Sequence, residues 1–212
     1  MMNIVGIDLS GPSNTADTVL TVFSRDGADI CYRSAILEAT DAKIRAEVAS
    51  LAASAPVVVG IDVPLSYNPG GGDRSSDSAL RRMLTAAGMQ PGSVMTPTMT
   101  RMVYLTLRGI VVARDLAAIP GVRVVEVHPG ATCALRGASI ADVRAFSRDA
   151  ASRTPLLQWM GGQGLRDLPS GKVSSHHVAA CAAALAAWKW ANGQTVWLAQ
   201  ANPPETPFDF AC

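Results

Sequence analysis

The chain has 212 residues, 49% of them apolar but only 5% aromatic, so its core must be built from Ala, Val, Leu and Ile. A formal net charge of +1 excludes the global basic field of a general nucleic-acid or membrane-surface binder, and no apolar run reaches the length of a membrane span. Four cysteines, Cys31, Cys133, Cys181 and Cys212, lack CxxC spacing, which argues against a zinc site or disulfide framework and fits a cytoplasmic setting.

Residues 3–9 predict a first strand, and 10–14 (Ser-Gly-Pro-Ser-Asn) a turn. Residues 18–24 and 28–34 read as two further strands around an Arg25-Asp26-Gly27 hairpin turn. Ile44, Val48 and Leu51 recur at helical spacing, so 41–54 predicts a helix capped by Thr40 or Asp41. A buried strand follows at 57–61, and Pro64 then leaves the sheet. The Asn-Pro-Gly-Gly-Gly-Asp stretch at 68–73 is a loop that suits either a substrate-facing lid or a plain surface excursion. Helices are expected at 76–87, 100–119, 140–150 and 154–160, with a strand at 123–127. A late helix runs from a Ser174 or Ser175 cap to about 191. A short strand at 195–199 and an irregular, Pro-rich strap at 202–212 close the chain. A strand after a crossover helix lies parallel to its predecessor. The prediction is therefore one α/β domain: a mixed central sheet, three antiparallel strands and then parallel ones, with helices on both faces and helical insertions at about 66–119 and 138–170.

Two of these strands end alike, in Val5-Gly6-Ile7-Asp8 and Val59-Gly60-Ile61-Asp62. Alternation puts each Asp on the face of its Gly, so the pair is expected to converge over an open floor if the strands are neighbours. Glu126 ends a third apolar run. Three buried carboxylates are costly without a cation, which makes Asp8, Asp62 and Glu126 candidate metal ligands. The alternative for each is the first solvated residue after a strand, or a helix cap. His128, two residues after Glu126, is a candidate phosphate contact or a satisfied structural His. Arg101 and Arg108 are seven apart and would share one helix face, where Arg101 could hold a phosphate or lie solvated. His176 and His177 are about 100° apart on a helix, so only one can face a given site. Cys181, one turn after His177, reads as a buried structural thiol rather than a nucleophile.

Gly6-Ile7-Asp8, Gly60-Ile61-Asp62-Val63-Pro64-Leu65, the stretch Thr96–Gly109 and Val125-Glu126-Val127-His128-Pro129 together resemble the domain of unknown function 429 family, over residues 3 to about 191. Members of that family are regarded as predicted ribonuclease H-like nucleases. The resemblance implies a ribonuclease H-like fold and a metal-dependent nuclease acting on nucleic acid, with Mg2+ or Mn2+ as cofactor. It implies Asp8, Asp62 and Glu126 as metal ligands. His177 falls where the family often has an acid, and Ala180 where it often has a second. Some Holliday-junction resolvases of this fold carry a His on the equivalent helix, which makes His177 the catalytic candidate. Two ions about 4 Å apart would clamp the attacking and leaving oxygens. An actin-like or sugar-kinase-type reading uses Asp8-Leu9-Ser10-Gly11 as a phosphate-approaching turn, with Ser10 as substrate contact. A catalytically impaired binding domain is the third reading, favoured by Ala180.

Overall fold

The computed structural model describes residues 2–212. It is a mixed α/β fold built on one eight-stranded sheet. The elements run β1 Asn3–Asp8, β2 Val19–Asp26, β3 Asp29–Leu37, α1 Asp41–Ala52, β4 Val57–Asp62, α2 Ser75–Ala86, α3 Val103–Ala117 and β5 Val122–Val127. There follow α4 Pro129–Leu135, α5 Ile140–Ala145, α6 Arg153–Gly162, β6 Leu165–Arg166, α7 Ser175–Ala191, β7 Leu198–Ala199 and β8 Phe210–Ala211. The sheet order is β6-β3-β2-β1-β4-β5-β8-β7. Strands β1, β2 and β3 are antiparallel neighbours, whereas β4 and β5 run parallel to β1, as the crossover argument expects.

Alternation along the strands divides the core. Val5, Ile7, Val59 and Ile61 pack with Ile44 and Val48 of α1 and with Val112 and Leu116 of α3. Ile4 and Val58 pack on the other face with α4, α6 and α7. Helix α7 is buried almost all round, from Val178 to Trp188, because it is sandwiched between the sheet and the outer helices.

The glycines of the repeated tetrapeptide are where α7 meets the sheet. Gly6 and Gly60 are register partners on β1 and β4. A Cβ on Gly6 would overlap the Ala180 carbonyl and the Ala184 amide, and one on Gly60 would lie 2.6 Å from the Ala183 oxygen. The expected open floor is therefore filled: the absent side chains admit a helix backbone rather than a ligand. Thr21 Oγ1 donates to the Ala180 oxygen at 3.1 Å, a polar latch beside this apolar contact. Gly6→Ala should push α7 off β1 and destabilise by about 3 kcal/mol, measured by urea unfolding; a loss below 1 kcal/mol would mean that the contact yields.

Several boundaries differ from the sequence reading. The third strand continues to Leu37, along the whole of β2. The long helix begins at Val103, since Met99 to Met102 form turns. A short helix, α4, starts directly at Pro129, whose fixed φ suits a first helical position. The tail is not only a strap: β8 adds parallel to β5 and antiparallel to β7.

Candidate active site

Asp8 and Asp62 end adjacent parallel strands in exact register. Both carboxylates emerge on the α7 face, one pair step beyond the glycines. They border a cavity of about 270 Å³ whose walls include Pro64, Met95, Met102, Leu105, His128 and Phe210. A second cavity of about 290 Å³ meets the same two carboxylates from the side of Phe146, Ser175 and His176. Burial raises the pKa of both acids, and of Asp62 well above the ordinary carboxylate value, because Asp8 and Glu126 add their charge to its desolvation.

The histidine of this site is His176. The Ala180 contact with β1 fixes the phase of α7, and His176, four residues earlier, falls on the same face. Its Nδ1 lies 2.7 Å from Asp8 Oδ2, and its Nε2 lies 3.8 Å from Asp17 Oδ2. The hydrogen bond to Asp8 raises the His176 pKa, against the pull of partial burial. His177, the residue singled out from the sequence, turns away: its Nε2 lies 3.1 Å from the Tyr32 hydroxyl, and burial lowers its pKa. One residue of helix rotates a side chain by about 100°, which separates the two. Ala180 itself is pressed against β1, which leaves no room for an acid there.

Glu126 is not delivered to the same point. It aligns with Ile61 rather than Asp62, so its side chain leaves the opposite face of the sheet. There it meets Arg74, whose Nη1 and Nη2 donate to its two oxygens at 2.8 and 2.5 Å. The Leu65 N–H donates to it at 2.8 Å, and Arg74 also binds Asp77 at 2.7 Å. Burial pushes the Glu126 carboxyl up, while Arg74 and the Leu65 N–H pull it back. Burial opposes the charge on Arg74, but the two carboxylates outweigh it and hold its pKa above the ordinary value. Glu126 thus borders the cavity with its oxygens already taken. Sequence reading missed Arg74 because it ends a Gly-rich loop, where nothing in the local pattern signals burial.

The remaining candidates separate. The Ser10 hydroxyl and N–H are both used within their own turn, with Thr18 Oγ1 at 2.7 and 3.1 Å. Arg108 closes that turn by donating to the Ser10 carbonyl at 2.7 Å and to Thr18 Oγ1 at 2.9 Å, and pairs with Asp41. No donor of Ser10 is left for a phosphate. Arg101 is exposed in the turn before α3, so the supposed shared face with buried Arg108 does not exist. His128 reaches the site but is satisfied: Nδ1 accepts from the Ala131 N–H at 3.2 Å and Nε2–H donates to the Ser93 carbonyl at 2.8 Å. Burial lowers its pKa, so it is a neutral wall rather than a cation. Cys181 is fully buried and its thiol is pushed up by burial, which fits a structural role.

Among the described residues, no three His, Cys, Asp or Glu side chains gather closely enough to hold a metal ion by themselves. The donor chemistry of Asp8 and Asp62 nevertheless fits one hard divalent cation. Such an ion takes carboxylate oxygen, tolerates one or two protein ligands and keeps waters or substrate oxygens for the rest. The mutual repulsion of the two acids is what a cation would relieve.

Among the described residues, no helix is long and apolar enough to cross a membrane. No curated protein matches the chain. The profile of the family described as "Protein of unknown function (DUF429)" matches residues 6–203, a span that contains Asp8, Asp62, Glu126 and His176 together. The chain therefore belongs to the DUF429 family.

Proposed function

We propose that this protein is a metal-dependent phosphodiester hydrolase of ribonuclease H-like architecture, acting on nucleic acid with Mg2+ or Mn2+. The observation that carries the reading is the in-register pair Asp8 and Asp62, facing a cavity with His176 at 2.7 Å from Asp8. The central order β3-β2-β1-β4-β5, with β2 alone reversed, between β3 and β1, supports the ribonuclease H-like assignment. The kinase-type alternative loses its phosphate-approaching turn, because Ser10 is internally bonded.

Asp8 and Asp62 would hold the ion. When bound, it supplies Lewis-acid charge at the reacting phosphoryl group. His176 handles the proton. Its Nδ1–H donates to Asp8, which orients the ring and favours the imidazolium, and its Nε2–H is left to protonate a leaving oxygen. Asp17, beyond Nε2, adds to the same bias. Arg153 stands close enough to oppose the His176 charge and offers a cation to a flanking phosphate. Glu126 and Arg74 act as a fixed wall rather than as ligands, so one ion replaces the two-ion clamp expected from the sequence.

Cleavage of a fluorescent oligonucleotide, with Mn2+ against chelator, tests the proposal; no metal-dependent cleavage of DNA or RNA would refute it. His176→Ala should lower kcat by about 100-fold or more, whereas His177→Ala should leave it within a few-fold. The sign of the pH effect follows from the raised His176 pKa. Its stabilising bond with Asp8 is complete below the ordinary His value of 6.5 and is lost as pH rises through the folded value. The alkaline limb of kcat should therefore lie above that of free imidazole, and His176→Gln should abolish it.

A further inference from the structure

Of the large apolar side chains left exposed, four sit on one face along α3 and the neighbouring loop. Tyr104, Leu107 and Val111 are 67%, 50% and 65% exposed along α3, and Tyr67 is 53% exposed beside them. Their spacing of three and four residues places the α3 trio in one stripe, so they form a ridge. Alongside runs a groove of about 310 Å³, walled by Leu65, Tyr67, Pro69, Ile110 and two prolines of the tail, Pro204 and Pro207. Arg114 and Glu205 also line it, and neither has an ion-pair partner among the described residues. The buried face of α3, from Thr106 to Leu116, is fully used by the core, so fold stability does not explain the apolar ridge. Contiguous apolar surface rimmed by polar groups marks an association site.

We infer that this face binds a second copy of the same chain across a two-fold axis. A ridge beside a groove on one surface is self-complementary: a two-fold rotation seats each ridge in the other copy's groove. The charges obey the same symmetry, because Arg114 of each copy would meet Glu205 of the other. Two antiparallel α3 helices, each about 22 Å long, would lie side by side across the axis, with the groove walls extending the contact. The proposal is independent of the hydrolase reading, since none of the side chains it relies on is a proposed metal ligand or proton donor.

Sedimentation velocity and light scattering on the full chain, from 1 to 100 μM, decide it. The wild-type protein should run as a dimer, and Val111→Arg, a change at an exposed position, should give a monomer with an unaltered circular-dichroism spectrum. R114E should weaken the dimer by at least about 30-fold, and R114E combined with E205R should restore it. A wild-type monomer throughout the range would overturn the proposal, as would a dimer indifferent to Val111→Arg. Failure of the double charge exchange to restore association would overturn the stated geometry.

Discussion

Asp62→Asn is expected to abolish hydrolysis and, in the presence of chelator, to make the protein more stable. Loss of activity follows if Asp62 holds the ion: the rate should fall by at least about 1000-fold, roughly 4 kcal/mol of barrier. The gain in stability follows from the environment of the carboxylate. Burial, Asp8 and Glu126 raise its pKa well above 3.8 in the folded chain. A group raised in this way favours the folded state fully below the unfolded value, and that contribution disappears as pH rises through the folded value. Above the unfolded value the ion-free protein must therefore either take up a proton at Asp62 or bury its charge, and Asn removes that cost. Relief of this kind commonly returns roughly 0.5–2 kcal/mol, a few degrees in melting temperature for a chain of this size. The melting temperature of Asp62→Asn should decline less steeply than that of the wild type as pH rises through the acid range, because Asp8 and Glu126, also raised by burial, remain. Excess Mn2+ should then close the gap, because binding to the folded state alone stabilises by mass action. Equal melting temperatures at every pH would show that the two acids are not in conflict.

Arg74→Met is expected to be the most destabilising substitution among the polar residues. Arg74 is 6% exposed and is bound by Glu126 and Asp77 in the interior, with its guanidinium 5.5 Å from the centre of the Phe210 ring. Its removal leaves two carboxylates buried without a counter-charge, which costs about 3–5 kcal/mol. Part of that loss should be recovered by Arg74→Met with Glu126→Gln, since one of the stranded charges is then gone. The loss should also shrink as pH falls and Glu126, whose pKa burial already raises, takes up a proton. Urea unfolding at pH 5 and pH 7.5 reads both effects. A loss under 1 kcal/mol would mean that water reaches the cluster and screens it.

The strands and their acids were legible because a buried parallel strand has a simple signature, a short apolar run that ends in a polar residue. The Gly-x-Asp repeat set Asp8 and Asp62 at equivalent positions of two strands, and the structure supplies the condition the reading left open by making β1 and β4 neighbours. The glycines of the repeat were misread as open space, since a sequence does not say whether a missing side chain admits a ligand or a helix. The phase of α7 was hidden for a related reason. A helix that is Ala on every side has no apolar stripe, so nothing local distinguishes His176 from His177; only the contact of Ala180 with Gly6 does. Glu126 failed on parity. Its strand sits one residue out of step with β4, a register fixed by packing and not by composition. Arg74 was silent because its partners are 3 and 52 residues away and its own segment reads as a loop.

The most direct measurement is calorimetric titration of Mn2+ into the purified chain and into Asp8→Asn, Asp62→Asn and His177→Ala. The hydrolase account predicts one ion per chain in the wild type and in His177→Ala, and binding weakened at least about 100-fold in each aspartate variant. Binding that survives unchanged without Asp8 or Asp62, or none in the wild type at millimolar Mn2+, would contradict it.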